Sequence, residues 1–458
     1  MNRPRSRLCL AWLTSWTVAC ADDVAQHDWT DAGQTTDAAL VDGATESDAS
    51  VGNLVFDPMR VAKIEIEVGE GDRATLHQQG ERRINSDEDD STYVVANLRF
   101  DGQLYEMVGL RVKGNSSRRA DANNPDAMPY KLDMNRFVPG QKLDGLTKIN
   151  LHRNASLNEY LSYGAFRKAG IAASRTGWAD ITLNGVALGL YTVVEQVDER
   201  MLAHFYDEPE AELYKPEPPA GYLGYSGEDV TAYGDLGYKA DKETDHATFL
   251  KLVRTINQEP VEAWDEVLDT DSVLNYFAGN VALGNWDTYV AMGHNYYLFE
   301  DSPGHMAMLP WDLNLSQGSS GVVCPTDMGM GMVPGGAMPG AEGFMPPEGF
   351  MPPEGGGFPG GGRGGFGRGD APLYTQLMAS EDGFSRYTAA LKAFIEGTGA
   401  ADALNSDIDA VVPVLGERVA SGDVETMRAN IRARITAIQA SLATTTECKT
   451  EGSTPTDE

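Results

Sequence analysis

Apolar positions along this chain change period part-way. From Val61 to Val68, Tyr93 to Phe100 and Tyr105 to Val112 they alternate with polar positions or cluster in β-forming residues, and Tyr130 to Met134 adds a shorter run. These predict a strand-rich first region. Leu157 to Ala169 then repeats at helical spacing with Asn154 or Ser156 as its cap, and Ile181 to Val194 predicts a hairpin turning at Asn184-Gly185. Helical spacing dominates beyond that point, over Asp198 to Phe205, Ala247 to Asn257, Ser272 to Leu283, Phe384 to Thr398 and Val424 to Leu442. The expected fold class is α+β, with a β-rich lobe against a helical lobe.

Some stretches follow neither period. Ala21 to Asp57 has nine acidic residues and no Lys or Arg, and buries too little apolar surface to offset its ordering entropy, so it reads as a disordered tether. Ser319 to Gly369 repeats Gly-Phe-Met-Pro-Pro-Glu at Gly343 and Gly349 and then turns Gly- and Arg-rich, as expected of a flexible insertion. From Asp327 to Gly369 it holds no Ser, Thr or Tyr, so phosphorylation cannot switch that stretch. The expected organisation is a signal over 1–20, the tether over 21–57, a core over 58–318, the insertion over 319–369, a helical part over 370–447 and a polar tail over 448–458.

Charge and cysteine usage narrow the function classes. A formal net charge of −32 argues against nucleic-acid binding, which needs clustered Lys and Arg. The apolar run Leu8 to Ala19, behind Arg3, Arg5 and Arg7, has the layout of a secretion signal and is too short to span a bilayer. Thr17-Val18-Ala19-Cys20 resembles a bacterial lipoprotein cleavage site, so a lipid anchor at Cys20 is expected; a plain secretion signal is the alternative. Cys324 and Cys448 can pair in an oxidising compartment or stand apart as thiols. No His-x-x-x-His and no close Cys pair occurs, which argues against a zinc enzyme.

The candidate chemistry lies between Tyr276 and Asn314. A helical run ends before Asn285-Trp286-Asp287, a strand-like run opens at Asn295, and another apolar run ends at Trp311-Asp312. Asp287, Asn295, Asp312 and Asn314 therefore sit on loops where they can converge on one hard cation with oxygen ligands. Taken singly, each is an ordinary turn residue. In the first region Gly114-Asn115-Ser116 follows a strand and is flanked by Arg111, Lys113 and Arg118, a local positive charge suited to phosphate, or else an ordinary basic hairpin loop.

GNWD (284–287), NYYLF (295–299) and PWDLN (310–314) resemble the spore-coat protein H (CotH) kinase family of atypical secreted or envelope protein kinases. GLRVKGNSSR (109–118), PYKLDMNRF (129–137), ADITLNGVALGLYTVVEQVD (179–198) and ELYK (212–215) resemble upstream blocks of the same family, so the similarity runs over roughly 60–318 in order.

The resemblance implies an atypical, two-lobed kinase-like fold using ATP and Mg²⁺ or Mn²⁺ to phosphorylate Ser or Thr of an envelope or spore-surface protein. It implies Asp287 as the catalytic residue, Asn295, Asp312 and Asn314 at the metal, and nucleotide contacts from Arg111, Gly114, Asn115, Ser116 and Lys131. Lys131 would pair with Glu195; Lys215 competes for its role, and Arg153 is a further basic candidate. The family usually has a second Asp at Asn314 and an aromatic residue at Gln317. A non-catalytic surface lipoprotein keeping the same fold is the rival reading, and a calcium-stabilised binding module a third.

Overall fold

The structure, a computed structural model, describes residues 51–81, 92–114, 118, 123–153, 157–240, 242–328 and 371–448. The expected signal, most of the tether, the bulk of the insertion, the tail beyond Cys448, and Asn115 and Ser116 lie outside the described residues.

Seven strands of the first region form one closed sheet: β1 (Val61–Val68), β2 (Val94–Phe100), β3 (Gln103–Val112), β4 (Tyr130–Asp133), β5 (Lys148–His152), β6 (Thr176–Leu183) and β7 (Val186–Glu195). Their order is β1-β2-β3-β4-β5-β7-β6, and all neighbours are antiparallel except β1 and β6, whose parallel pairing closes the barrel. Alternation decides the inside: Ile64, Leu98, Leu110, Leu132, Leu151 and Ile181 fill the barrel core. The β6–β7 turn uses Asn184 and Gly185, both at positive φ, as a tight hairpin of this kind requires. Helix α1 (Glu70–Gly80) packs on β2 and β3, and the Gln79 side chain accepts the Val112 amide proton at 2.9 Å, where β3 ends. The fold is thus mixed α+β, but a closed barrel stands where the resemblance implies a kinase-like lobe.

The rest is mainly helical: α2 (Leu157–Lys168), α3 (Glu199–Leu202), α4 (Ala247–Gln258), α5 (Thr270–Leu283), α6 (Tyr289–Met292), α7 (Pro372–Ala379), α8 (Glu381–Glu396), α9 (Ala401–Leu415) and α10 (Ser421–Leu442). A small sheet orders β10 (His305–Pro310), β9 (Tyr296–Ser302) and β8 (Leu213–Tyr214). Helix α5 is buried along most of its length between β10, α8 and α10, and Phe277, Ala278 and Val281 are sealed from solvent. This second core gathers Leu161, Phe166, Leu309, Leu391 and Ile438 around it.

Both expected low-complexity stretches begin or end inside the fold. Val55 and Phe56, placed by composition in the tether, are buried against the barrel, and the Asp144 carboxylate accepts the Leu54 amide proton at 2.7 Å. Val323, Cys324 and Met328, placed in the insertion, are buried in the helical core, and Cys324 is disulfide-bonded to Cys448.

Candidate functional site

Register brings the polar loops together. Strands β9 and β10 pair Tyr296 with Pro310, so Asn295 and Trp311 emerge side by side, and the Trp311 amide donates to the Asn295 carbonyl at 3.2 Å. Asp312 follows at φ 52°, a left-handed conformation Asp tolerates better than most residues, and its amide donates to the Tyr163 hydroxyl at 3.0 Å.

Three further elements deliver charge to Asp312. Lys113 leaves the end of β3, His152 ends β5, and Glu159 lies in the first turn of α2; all three are buried. The Lys113 ammonium contacts His152 Nε2 and lies over the Trp311 ring, 5.4 Å from its centre. On the other side of the ring His152 Nδ1 meets Glu159 Oε1 at 2.8 Å. His152, Glu159 and Asp312 each bring a ligand atom within 4.8 Å of the others. The Oδ1 atom of Asp312 is sealed from solvent and has no hydrogen-bond partner among the described residues. Burial pushes its carboxyl pKa up, His152 and Lys113 pull it down, and Glu159 and Asp287 add to the rise.

Asp287 is held at both oxygens. Helix α5 stops at Gly284, at φ 65°, and the turn beyond is fastened by Asn285 Nδ2 donating to Asn280 Oδ1 at 2.7 Å. Asp287 Oδ1 meets His294 Nε2 at 2.7 Å, while Oδ2 accepts from Asn295 Nδ2 at 3.0 Å. Asn295 thereby spends its amide nitrogen on Asp287, which leaves its oxygen as the atom able to bind a metal. Burial opposes protonation of His294, yet the Asp287 hydrogen bond and the nearby Glu217 carboxylate raise its pKa to about 10. Glu217 in turn receives Lys215 at 2.6 Å; although burial opposes its ionisation, His294 and Lys215 together hold its pKa below the usual value. The unpartnered Oδ1 of Asp312, with a Glu159 oxygen in the same cluster, offers oxygen ligands of the kind a hard divalent cation takes.

The family model described as CotH kinase protein matches residues 110–436. The chain belongs to the CotH kinase protein family. Among individual proteins, the inner spore coat protein H of Bacillus subtilis (strain 168) is 28% identical over 195 residues, covering 40% of this chain and 53% of that protein. The chain thus spans about half the length of that curated relative.

Of the residues that CotH resemblance points to, the structure brings Asp287, Asn295 and Asp312 into one neighbourhood. Asn314 stays close to α2, where its carbonyl accepts Asn158 Nδ2 at 2.9 Å. Gly114 sits at φ 86° just past β3, with its carbonyl taken by Arg118 Nε at 2.6 Å. The Arg111 guanidinium lies over Tyr93, 5.4 Å from the ring centre.

The expected Lys131–Glu195 pair does not form. Lys131 stands between the barrel-core residues Tyr130 and Leu132 and so points off the barrel. Both Glu195 oxygens are bound by Arg175, one of them at 2.9 Å from Nε. Lys215 serves Glu217, and Arg153 donates to the Ala127 carbonyl at 3.3 Å.

His152, Glu159 and His294 are the site members that sequence reasoning missed. Lys113, read there as part of a basic flank, continues the outward parity of Gly109 and Arg111 at the end of an apolar strand.

Proposed function

We propose that the chain is an ATP- and Mg²⁺-dependent protein kinase (Mn²⁺ serving as well) that transfers the γ-phosphoryl group to Ser or Thr hydroxyls of an envelope or spore-surface protein. The observation that carries the reading is the sealed Oδ1 of Asp312, unpartnered and flanked by Lys113, Glu159 and Asp287. A buried carboxylate oxygen without a partner is costly, and a divalent cation would relieve that cost.

In this reading the barrel takes the place of a nucleotide-covering lobe and the helical part that of an acceptor lobe. Lys113, rather than Lys131, neutralises phosphate oxygens. Asp312 and the Asn295 oxygen would hold the metal, with Asn314 as a further candidate ligand. Bound Mg²⁺ would neutralise charge on the transferring phosphoryl group. Asp287 aligns the acceptor hydroxyl and receives its proton. Phosphoryl transfer asks little else of the protein, since positioning and charge neutralisation supply most of the rate.

The name of the Bacillus subtilis relative, a spore coat protein, supports a surface location here, reached through the signal and the Cys20 anchor. No described helix is long and apolar enough to cross a membrane. Asn314, uncharged where the family usually carries Asp, favours the rival reading of a non-catalytic surface module.

Thermal unfolding with and without Mg²⁺-ATP, followed by phosphoryl transfer to a Ser/Thr-containing protein, separates these readings. At a hundred times its dissociation constant the nucleotide should add about 2.7 kcal/mol of stability. Asp312→Ala should abolish both stabilisation and transfer, and Asp287→Ala transfer alone. No stabilisation by ATP with either metal would leave the non-catalytic module standing.

A further inference from the structure

His294 has no part in the roles above, yet it makes the shortest side-chain contact to Asp287, 2.7 Å from Nε2 to Oδ1. We propose that His294 is the positioning residue of Asp287, braced from behind by Glu217 and, through it, by Lys215. The proposal rests on the kinase reading for its consequence and on geometry alone for the contact.

Both ring nitrogens of the histidine face carboxylates, Nε2 within hydrogen-bond distance of Asp287. Nδ1 faces Glu217 Oε2 at 3.7 Å, and Glu217 is itself held by Lys215 at 2.6 Å. Lys215 follows strand β8 and precedes the segment 216–222, which is pressed against the loop carrying His294: a Cβ at Gly221 would lie 1.8 Å from the Gly293 carbonyl oxygen. Two tyrosines lock the same segment, Tyr296 donating to the Gly221 carbonyl at 2.8 Å and Tyr289 to the Tyr222 carbonyl at 3.0 Å. The chain Lys215–Glu217–His294–Asp287 is therefore anchored at its far end to a segment that cannot shift without breaking these contacts.

That anchoring gives Asp287 what a loop carboxylate lacks. One donor on Oδ1 from His294 and another on Oδ2 from Asn295 fix the plane of the carboxylate and leave its remaining lone pairs in set directions. For an acceptor hydroxyl that must lie in line with a phosphoryl group, such placement is where the rate is won or lost. The arrangement also reassigns Lys215, a nucleotide candidate by sequence, to the support of Asp287.

Steady-state kinetics on the full protein tests the role. His294→Ala should lower kcat by about a hundredfold, the scale of a small misplacement of a reacting group, with the KM for ATP changed by less than about twofold. His294→Gln, whose amide can reach Asp287 from a similar position, should recover at least about tenfold of that loss. A raised KM for ATP with unchanged kcat, or a glutamine no better than alanine, would overturn the proposal.

A stability cycle tests the contact without any activity. In urea, the His294→Ala/Asp287→Ala double variant should depart from additivity by about tenfold in the unfolding equilibrium constant, as contacting residues do. Additive effects would refute the pairing. If the unaltered protein transfers no phosphate, the kinase reading falls while this cycle still decides the link between His294 and Asp287.

Discussion

Arg434 offers the sharpest test of how the helical part holds the segment beyond Asp312. It lies on α10, fully buried, and its guanidinium donates from Nε to the Ala282 carbonyl at 2.8 Å and from Nη2 to Gln317 Oε1 at 2.7 Å, with Nη1 on the Gly318 carbonyl. One side chain thus ties the end of α5 to the segment just beyond Asp312. Burial lowers its pKa to about 9, so it stays charged at neutral pH. Arg434→Met keeps much of the volume but strands three acceptors, each worth about 1–3 kcal/mol when buried and unpaired. Removing the desolvation cost of the charge offsets part of this, which leaves an expected loss of about 3 kcal/mol. Arg434→Lys keeps the charge buried and cannot span three acceptors from one nitrogen, so it should be the more damaging of the two. Urea unfolding followed by tryptophan fluorescence reads both variants, and stabilisation by Mg²⁺-ATP should weaken in parallel. A lysine milder than methionine, or both losses below about 1 kcal/mol, would refute the reasoning.

Further expectations concern the metal, the disulfide and pH. Asn314→Asp adds a carboxylate where relatives usually have one, and transfer at limiting Mg²⁺ should rise; unchanged or lower activity would show that the side chain does not face the metal. Cys448→Ser opens a loop whose ends are 124 residues apart, which chain entropy values at up to about 5 kcal/mol, and urea unfolding with and without reductant should show most of it. His294 has a folded pKa of about 10 against about 6.5 when unfolded, so its contribution is complete below pH 6.5 and disappears as pH rises through 10. The difference in unfolding free energy between the unaltered protein and His294→Gln should shrink across that window, by about 5 kcal/mol at most; a pH-independent difference would contradict the raised pKa.

What the sequence made legible was mostly local. Strand β1 matches its alternation end for end, the Asn184-Gly185 turn falls where positive φ is needed, and the apolar run before Gly284 is α5. Helix α1 escaped because it buries little beyond Leu76, Gln79 and Gly80, so its surface carries no apolar stripe. Helix α9 carries Pro413, a residue that ordinarily argues against a helix interior. Barrel closure was out of reach because it depends on parallel pairing of β1 with β6, more than a hundred residues apart. In the site, Asp287, Asn295 and Asp312 were readable because each ends or opens an apolar run in one continuous stretch. His152 and Glu159 were not, since each acquires meaning only through contact with Lys113 or Asp312 from other elements. The Lys131–Glu195 pairing failed for a simple reason: parity turns Lys131 off the barrel, and Arg175, twenty residues upstream of Glu195, claims the glutamate.

The two sources of site residues carry a consequence for assembly. Asp287, Asn295 and Asp312 are brought together by the short path from α5 through the β9–β10 hairpin, so the helical part aligns them largely by itself. Lys113 and His152 come from strand ends of the barrel, and Glu159 from the helix between barrel strands. Helix α2 joins the sets: Tyr163 accepts the Asp312 amide proton, Ser162 meets Ser316 at 2.7 Å, and Asn158 donates to the Asn314 and Ser316 carbonyls. Lys113, through His152 and Glu159, and Asp312, through Tyr163, are thus both tied to α2. Any nucleotide bridging Lys113 and Asp312 would draw on contacts from both hydrophobic cores, and its binding should protect amides in β3 and in β10 alike from hydrogen exchange.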